Sequence, residues 1–384
     1  MKRWDRFVLI MVVGGSVLLS GCWDYVEVES LNFVMGVGID SVEPEFSLIV
    51  ESIQVLKGGP QAELVPIVAT AQGSTFFQAA RNLINPLGER LFWAHALVFI
   101  VSEEVARDGL LPAIDFVFRD VDVRTSLWLL ITKGCSPLDV FQTDPQLSDS
   151  VSTHLGTMID ARARNPVFFA QRFWEVDRAL AQSGLSLSAP TIQIIRQEDK
   201  KIAIIEGTAL FTNDIMVGWI DGIESRNFSI LMGERVAGPI VVDVDVMKEK
   251  GPISFQVKDN RVRTKPRIEK GRLEIEIEVR LQLELAELGR LRIDFTQPSI
   301  IHDLEAQVSR TMEAQFTSLI RRLQVDFNTD SLGLGALVKR TYPQVWREIG
   351  ENWSELYGTV PVSVRVVSHI IASGVRSKLL PVRD

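Results

Sequence analysis

The chain has 384 residues, 46% apolar and 23% charged, with a formal net charge of −8. That composition excludes a disordered chain, and the length exceeds one hydrophobic core, so two or three domains are expected. The acidic balance argues against nucleic acid or anionic lipid as the main partner.

Residues 1–25 read MKRWDRFVLIMVVGGSVLLSGCWDY. Lys2, Arg3 and Arg6 make a basic start, and Phe7 to Leu19 follow without a charge. A helix of that run would span roughly 20 Å, short of a hydrocarbon core of about 30 Å, so it reads as a secretion signal. It closes on Leu19-Ser20-Gly21-Cys22, which resembles the bacterial lipobox. The resemblance implies cleavage before Cys22, diacylglycerol on its sulfur and an acylated amine. Two or more acyl chains hold a protein stably on a bilayer. Loss of residues 1–21 removes three basic residues and one acidic residue, moving the net charge from −8 to −10. Cys135 is then the lone thiol and can form no internal disulfide. Its turn, Lys133-Gly134-Cys135-Ser136-Pro137, has no neighbouring His and suggests an inert thiol.

Strands are expected at Leu31 to Ile39 and, with alternation, at Phe46 to Leu56, ended by Gly58, Gly59 and Pro60. Gly36 and Gly38 lack the third glycine and following helix of a nucleotide loop, so close strand packing explains them better. Ser74 to Leu83 reads as a capped helix and Leu91 to Val101 as one buried strand, with His95 a hydrogen-bonded core residue. A helix over Leu110 to Arg119 and a strand over Thr125 to Thr132 complete a mixed α/β pattern. Pro137 to Gln142, Val151 to Ala161 and Val167 to Ser183 read as helical, and Leu185 to Glu198 as extended.

The second half differs in texture. Ile202 to Leu210 and Ile215 to Ile220 form a hairpin about Thr212-Asn213-Asp214, followed by a short helix from Ser225 to Leu231. Asp243 and Asp245 fall on the wet face of an alternating strand, Val241 to Val246. Arg261, Arg263, Lys265, Arg267, Lys270 and Arg272 read as the solvent side of strands and a turn. Leu273 to Leu285 alternates throughout, apolar on one face and charged or amide on the other. This pattern specifies a sheet covered on a single side. The cover is Ser299 to Leu323, a helix about 37 Å long against a strand of about 40 Å. Short helices over Leu334 to Thr341 and Pro343 to Trp353, with Trp346 and Trp353 on one face, precede a closing strand, Val360 to Ile371.

His95, His154, His302 and His369 are isolated, without zinc-site spacing, and the chain has no phosphate loop, Gly-x-Ser-x-Gly elbow or paired-Cys motif. No enzyme, cofactor or metal is expected. The fold class expected is α+β, a multidomain mixed α/β chain with a C-terminal antiparallel sheet covered by a long helix. The boundaries expected are a signal at 1–21, an N-terminal mixed α/β domain at 22–195, a small middle module at 196–240 and a C-terminal α+β domain at 241–384.

Three places carry a wider resemblance: Gly21-Cys22-Trp23-Asp24 with Glu29, Leu31 and Gly38-Ile39-Asp40; Gly207 to Ser225; and Asp330 to Gly335 followed by Pro343, Trp346, Trp353 and Val362-Ser363-Val364-Arg365-Val366. The chain resembles the Ger(x)C proteins, lipoprotein C subunits of nutrient germinant receptors in endospore-forming bacteria. Leu332 and Leu334 stand where an aromatic is expected, and Tyr25 where a charge is usual. The resemblance implies three mixed α/β domains and a lipid anchor on Cys22. The anchor would sit on the outer face of the cytoplasmic membrane, the inner membrane of the spore. Its partners would be two integral membrane subunits, A and B, in a receptor that triggers germination. Direct capture of a small molecule by this subunit is not expected. The competing reading is a solute-binding lipoprotein of a transporter, whose usual mark is two similar lobes about a cleft.

Overall fold

The computed structural model describes residues 31–372 apart from 43–44, 57–62, 120–121, 248, 290 and 292–296, together with Trp4, Phe7 and Met11. Cys22, the rest of the signal segment's expected end and the Gly58, Gly59, Pro60 break lie outside the described residues.

The first sheet contains β1 (Leu31–Val42), β2 (Glu45–Leu56), β3 (Glu63–Gly73), β4 (Arg90–Phe92), β5 (Val98–Val101), β6 (Trp128–Thr132), β7 (Ser188–Gln197), β8 (Lys200–Thr212) and β9 (Ile215–Ile220). Their order is β3-β2-β1-β5-β6-β7-β8-β9, with β4 beside β1. The central strands β1, β5, β6 and β7 run parallel, and an antiparallel pair flanks them on each side. Every residue of β5 and β6 is buried, as strands covered on both faces require.

The covers are α1 (Phe76–Asn82), α2 (Ile84–Leu87), α3 (Glu103–Asp108), α4 (Leu111–Arg119), α5 (Pro137–Phe141), α6 (Val151–Asp160) and α7 (Phe173–Ala181). Phe99, Val101, Leu129 and Ile131 pack with α1, α3, α4 and α7, whereas Val98, Ile100 and Leu130 pack with α5 and α6. Gly36 and Gly38 let α5 and α6 lie directly on β1. A Cβ on Gly36 would stand 2.7 Å from the Phe141 ring, and one on Gly38 2.8 Å from Pro137.

Several expectations for this half need correction. β3 was not foreseen, because Pro66 and the two alanines Ala69 and Ala71 weaken its strand signature; as an edge strand it tolerates the proline. The expected strand Leu91 to Val101 breaks at a 3₁₀ turn, Trp93–His95. His95 is exposed there instead of buried, since an unbroken apolar run carries no periodicity to show a turn. The expected helix Val167 to Ser183 forms only over α7; Phe168, Phe169 and Ala170 are buried ahead of it. α3 also went unforeseen. The β7–β8 hairpin spans residues 195 and 196, with Ile195 paired to Ile202 and Arg196 to Lys201. Residues of the expected middle module thus extend the first sheet through β8 and β9.

The second sheet follows α8 (Gly222–Leu231) and consists of β10 (Pro239–Val246), β11 (Glu249–Glu269), β12 (Arg272–Glu287) and β13 (Val362–Ala372) in that order. Between β12 and β13 come α9 (Pro298–Arg321), α10 (Leu334–Thr341), α11 (Pro343–Ile349) and α12 (Trp353–Tyr357). Ile275, Ile277, Val279, Leu281 and Leu283 pack against Leu304, Val308, Met312 and Phe316 of α9, as the alternation specified. β10–β11 and β11–β12 are antiparallel, but β13 joins β12 in parallel, which corrects the expectation of a wholly antiparallel sheet. The long helical connection carries the chain back to the starting end, so no hairpin constrains the last pairing.

α9 also closes both edges of this sheet. Val366, Ser368 and Ile370 donate their N–H groups to Glu313 Oε2, Ser309 Oγ and Glu305 Oε1 at 3.3, 3.0 and 2.9 Å. Two residues along a strand advance about 6.6 Å and four along a helix about 6 Å, so the two rows stay in step. On β10, Asp245 N–H donates to Gln307 Oε1 and Gln307 Nε2 donates to Asp245 O, both at 2.9 Å.

Candidate functional site

In open parallel sheets the customary ligand site lies beyond the carboxyl ends of the strands. Here that end holds Asp40, Ser102, Glu103, Arg107, Cys135 and Ser136 around an opening of about 480 Å³. Its helix N-termini are already satisfied. Ser102 Oγ accepts from Val105 N–H at 3.4 Å, and Ser136 with Asp139 forms a complete capping box. The Ser136 hydroxyl and N–H also hold the Asp139 carboxyl below its ordinary range. Burial pushes the Cys135 thiol up, against its reactivity as a nucleophile. Arg107 pairs with Glu103 at 2.8 Å, and both Arg107 and Lys133 lie over the Trp219 ring. The nearby Asp139 carboxylate raises the Cys135 thiol further, and that carboxylate is engaged by Ser136.

The other sequence candidates stay apart. Asp243 and Asp245 are exposed on β10, and Asp245 pairs with Lys250 at 2.7 Å. Arg263, Lys265 and Arg267 stand opposite Glu278, Glu276 and Glu274 across the β11–β12 ladder, so the basic stretch is matched by carboxylates. Burial lowers the His154 pKa despite nearby Asp144. Among the described residues no three His, Cys, Asp or Glu side chains converge for a metal. Cys22, the one site residue expected, lies outside the described residues.

Two other features stand out. An open apolar groove of about 770 Å³ runs between α1 and α4, lined by Phe46, Phe77, Leu111, Pro112 and Phe116. Phe77 and Leu111 are 53% and 50% exposed, an apolar surface of the kind used for contact.

The second feature is the joint between the sheets, built on Asp330. Its Oδ1 accepts from Leu334 N–H at 2.8 Å; its Oδ2 accepts from Gly335 N–H at 2.7 Å and Trp353 Nε1 at 2.9 Å. Its carbonyl accepts from Ser186 N–H at 3.0 Å, while Ala336 N–H donates to Gly184 O at 2.9 Å. A Cβ on Gly335 would lie 2.9 Å from Gly184 Cα, so only glycine allows this approach. Burial raises the Asp330 carboxyl to about 6, although the three donors oppose that rise. Tyr357 beside it is pushed well up, by burial first and by the Asp330 charge second. Trp346 and Trp353 share a face with ring centres 5.4 Å apart. The sequence hint was an Asp placed four residues before a helix and followed by two glycines; its role in joining the sheets rests on Gly184, far off in the chain.

The stretch Gly207 to Ser225 is also structural. Gly207 has φ 88° at a break in strand register, Gly218 admits Phe327 beside it, and Asp221 caps α8. Two family models match this chain: a spore germination protein N-terminal domain over residues 24–194, and a spore germination B3/GerAC-like C-terminal domain over residues 206–374. The chain belongs to the Ger(x)C family.

Among Ger(x)C relatives, it is 24% identical to spore germination protein B3 of Bacillus subtilis (strain 168), over 98% of this chain and 100% of that protein. Spore germination protein KC of the same organism is 20% identical over 96% of each chain, and spore germination protein A3 is 25% identical over 89% and 91%. The crystal structure of the GerBC protein superposes with a TM-score of 0.57, at 19% identity, covering 90% of this chain and 100% of that one. The α+β fold is therefore the family's. The two family models meet between residues 194 and 206, near the expected boundary, although the sheet hydrogen bonding crosses that point.

Proposed function

We propose that this Ger(x)C protein is the lipid-anchored C subunit of a spore nutrient germinant receptor and works by protein contact in receptor assembly. The observation that carries this reading is the pair of family matches spanning both halves of a chain that opens on a lipobox. Cys22 would carry the acyl groups on the outer face of the cytoplasmic membrane, the inner membrane of the spore. The A and B integral membrane subunits would be its partners. No described helix is long and apolar enough to cross a membrane. An anchor on Cys22 would raise the effective concentration of the body at membrane targets. Satisfied helix caps, the raised Cys135 thiol and the open groove between α1 and α4 support contact over catalysis. The two sheets differ in strand number and order, unlike the similar lobes of a solute-binding lipoprotein.

The test has two arms. Cys22→Ala should abolish lipid labelling and leave a folded chain; unchanged labelling would sink the lipobox assignment. Exchanging C subunits between receptors should restore germination without altering which nutrient is recognised. A switch in nutrient preference would show that this subunit reads the ligand.

A further inference from the structure

The chain enters the first sheet at the amino ends of its parallel strands, and that end has a distinct surface. β1 begins at Leu31 and pairs at once with β4, Leu31 opposite Arg90 and Phe33 opposite Phe92. The rings of Phe33, Phe92 and His95 form one cluster, with centroid separations of 5.9, 5.4 and 5.7 Å. His95 is exposed and the two phenylalanines are half-buried. Along the same end, Trp174 N–H donates to Thr125 O at 3.2 Å, which sets Trp174, 51% exposed, beside exposed Arg124. Arg90 is exposed and pairs with Asp122 at 2.9 Å. The opposite end of the sheet, at the β7–β8 turn, presents the charged side chains Arg196, Glu198, Asp199, Lys200 and Lys201 and no ring, so the two ends differ in their rings more than in their charge.

We propose that the end formed by Phe33, Arg90, Phe92, His95, Arg124 and Trp174 is a lipid-facing surface that rests on anionic bilayer headgroups. This rests on the anchoring of Cys22 proposed above. From Cys22 to Leu31 the chain takes nine steps, which span at most roughly 30 Å when extended. The entry end of the sheet therefore stays within that distance of the acyl chains. A leash alone leaves the body free to turn, and the surface chemistry selects the orientation. A body of net charge −10 is repelled by an anionic leaflet in most orientations. Arg90 shares its charge with Asp122, so Arg124 carries the net positive charge of this end. Placing it nearest the phosphates reduces that repulsion. The amphipathic rings of Trp174 and His95 favour the headgroup level, and Phe33 and Phe92 add apolar surface beside them.

The experiment uses the acylated mature chain in a Cys135→Ser background, reconstituted into vesicles of phosphatidylglycerol and phosphatidylethanolamine, 1:1. A single Thr125→Cys at the entry end or Asp199→Cys at the far end carries an environment-sensitive fluorophore, and headgroup-spin-labelled lipid serves as quencher. Flotation with the vesicles reports the anchor. The Thr125→Cys label should be quenched about threefold more than the Asp199→Cys label. The combined Arg90→Glu, Arg124→Glu and Trp174→Ser variant should lose most of that difference while keeping its circular dichroism spectrum and flotation. Equal quenching at both positions in floating protein, or stronger quenching at Asp199→Cys, would overturn the orientation and leave the anchor standing. A chain that does not float would overturn the anchor reading and this inference with it. In phosphatidylcholine vesicles the preference should fall at least twofold; an undiminished preference would overturn the role assigned to Arg124.

Discussion

Glu51 on β2 and Glu276 on β12 occupy the same kind of sequence position, an acidic residue inside an alternating strand, and meet opposite fates. Glu276 faces water and pairs with Arg267 at 2.8 Å, both side chains more than 40% exposed. Glu51 is 2% exposed, and its two oxygens accept from Val151 and Ser152 N–H at 2.8 and 2.7 Å, holding the start of α6. The second sheet has one wet face, so alternation along β12 reports burial directly. The first sheet is covered on both faces, so a polar residue there is buried wherever a helix end comes to meet it. Alternation is thus a reliable guide only where one side of a sheet is left to solvent.

Ile277→Lys should have the largest effect, because it places a charge beneath α9 at a position 3% exposed. A loss above about 4 kcal/mol is expected, enough to abolish cooperative unfolding of the second sheet in a thermal melt. A small drop in melting temperature would mean that α9 does not seal this face.

Glu51→Ala tests the first sheet in the same way. It strands two buried N–H groups, each costing about 1–3 kcal/mol, so a loss of roughly 3 kcal/mol is expected by chemical denaturation. A near-neutral result would show that Glu51 is no more structural than its wet counterpart on β12.

Asp330→Asn probes the joint between the two regions. An amide cannot accept at both oxygen positions, and a loss of about 1–3 kcal/mol is expected. The pH dependence carries a definite sign. Asp330 is raised to about 6 in the folded state, from an ordinary 3.8, so the native chain holds a proton that the unfolded chain releases. Its contribution to stability is complete below about pH 4 and is lost as pH rises toward 6. The difference between native and Asp330→Asn stability curves should therefore change across pH 4 to 6 and flatten above it. A flat difference would remove Asp330 as a titrating element of the joint.

Glu276→Lys should have the smallest effect, at most about 1 kcal/mol, since an exposed pair contributes little. A melting temperature lowered as far as by Ile277→Lys would mean that the faces of β12 had been misassigned.

The sequence by itself determined the elements whose burial follows a local period. β12 and α9 were legible from alternation at two and repetition at three and four, and α10 matched its expected bounds of Leu334 and Thr341. The β8–β9 hairpin followed from its turn, and Gly36 and Gly38 do serve close packing, though against helices α5 and α6 and not between strands as expected. Tertiary structure alone decided the order of the first sheet, the parallel entry of β13, the exposure of His95, the continuation of the sheet past residue 195 and the meeting of Asp330 with Gly184. The physical reason is common to all five. A local pattern reports which face of an element is apolar, whereas these features depend on which distant segment arrives to cover a face, extend an edge or satisfy a buried donor.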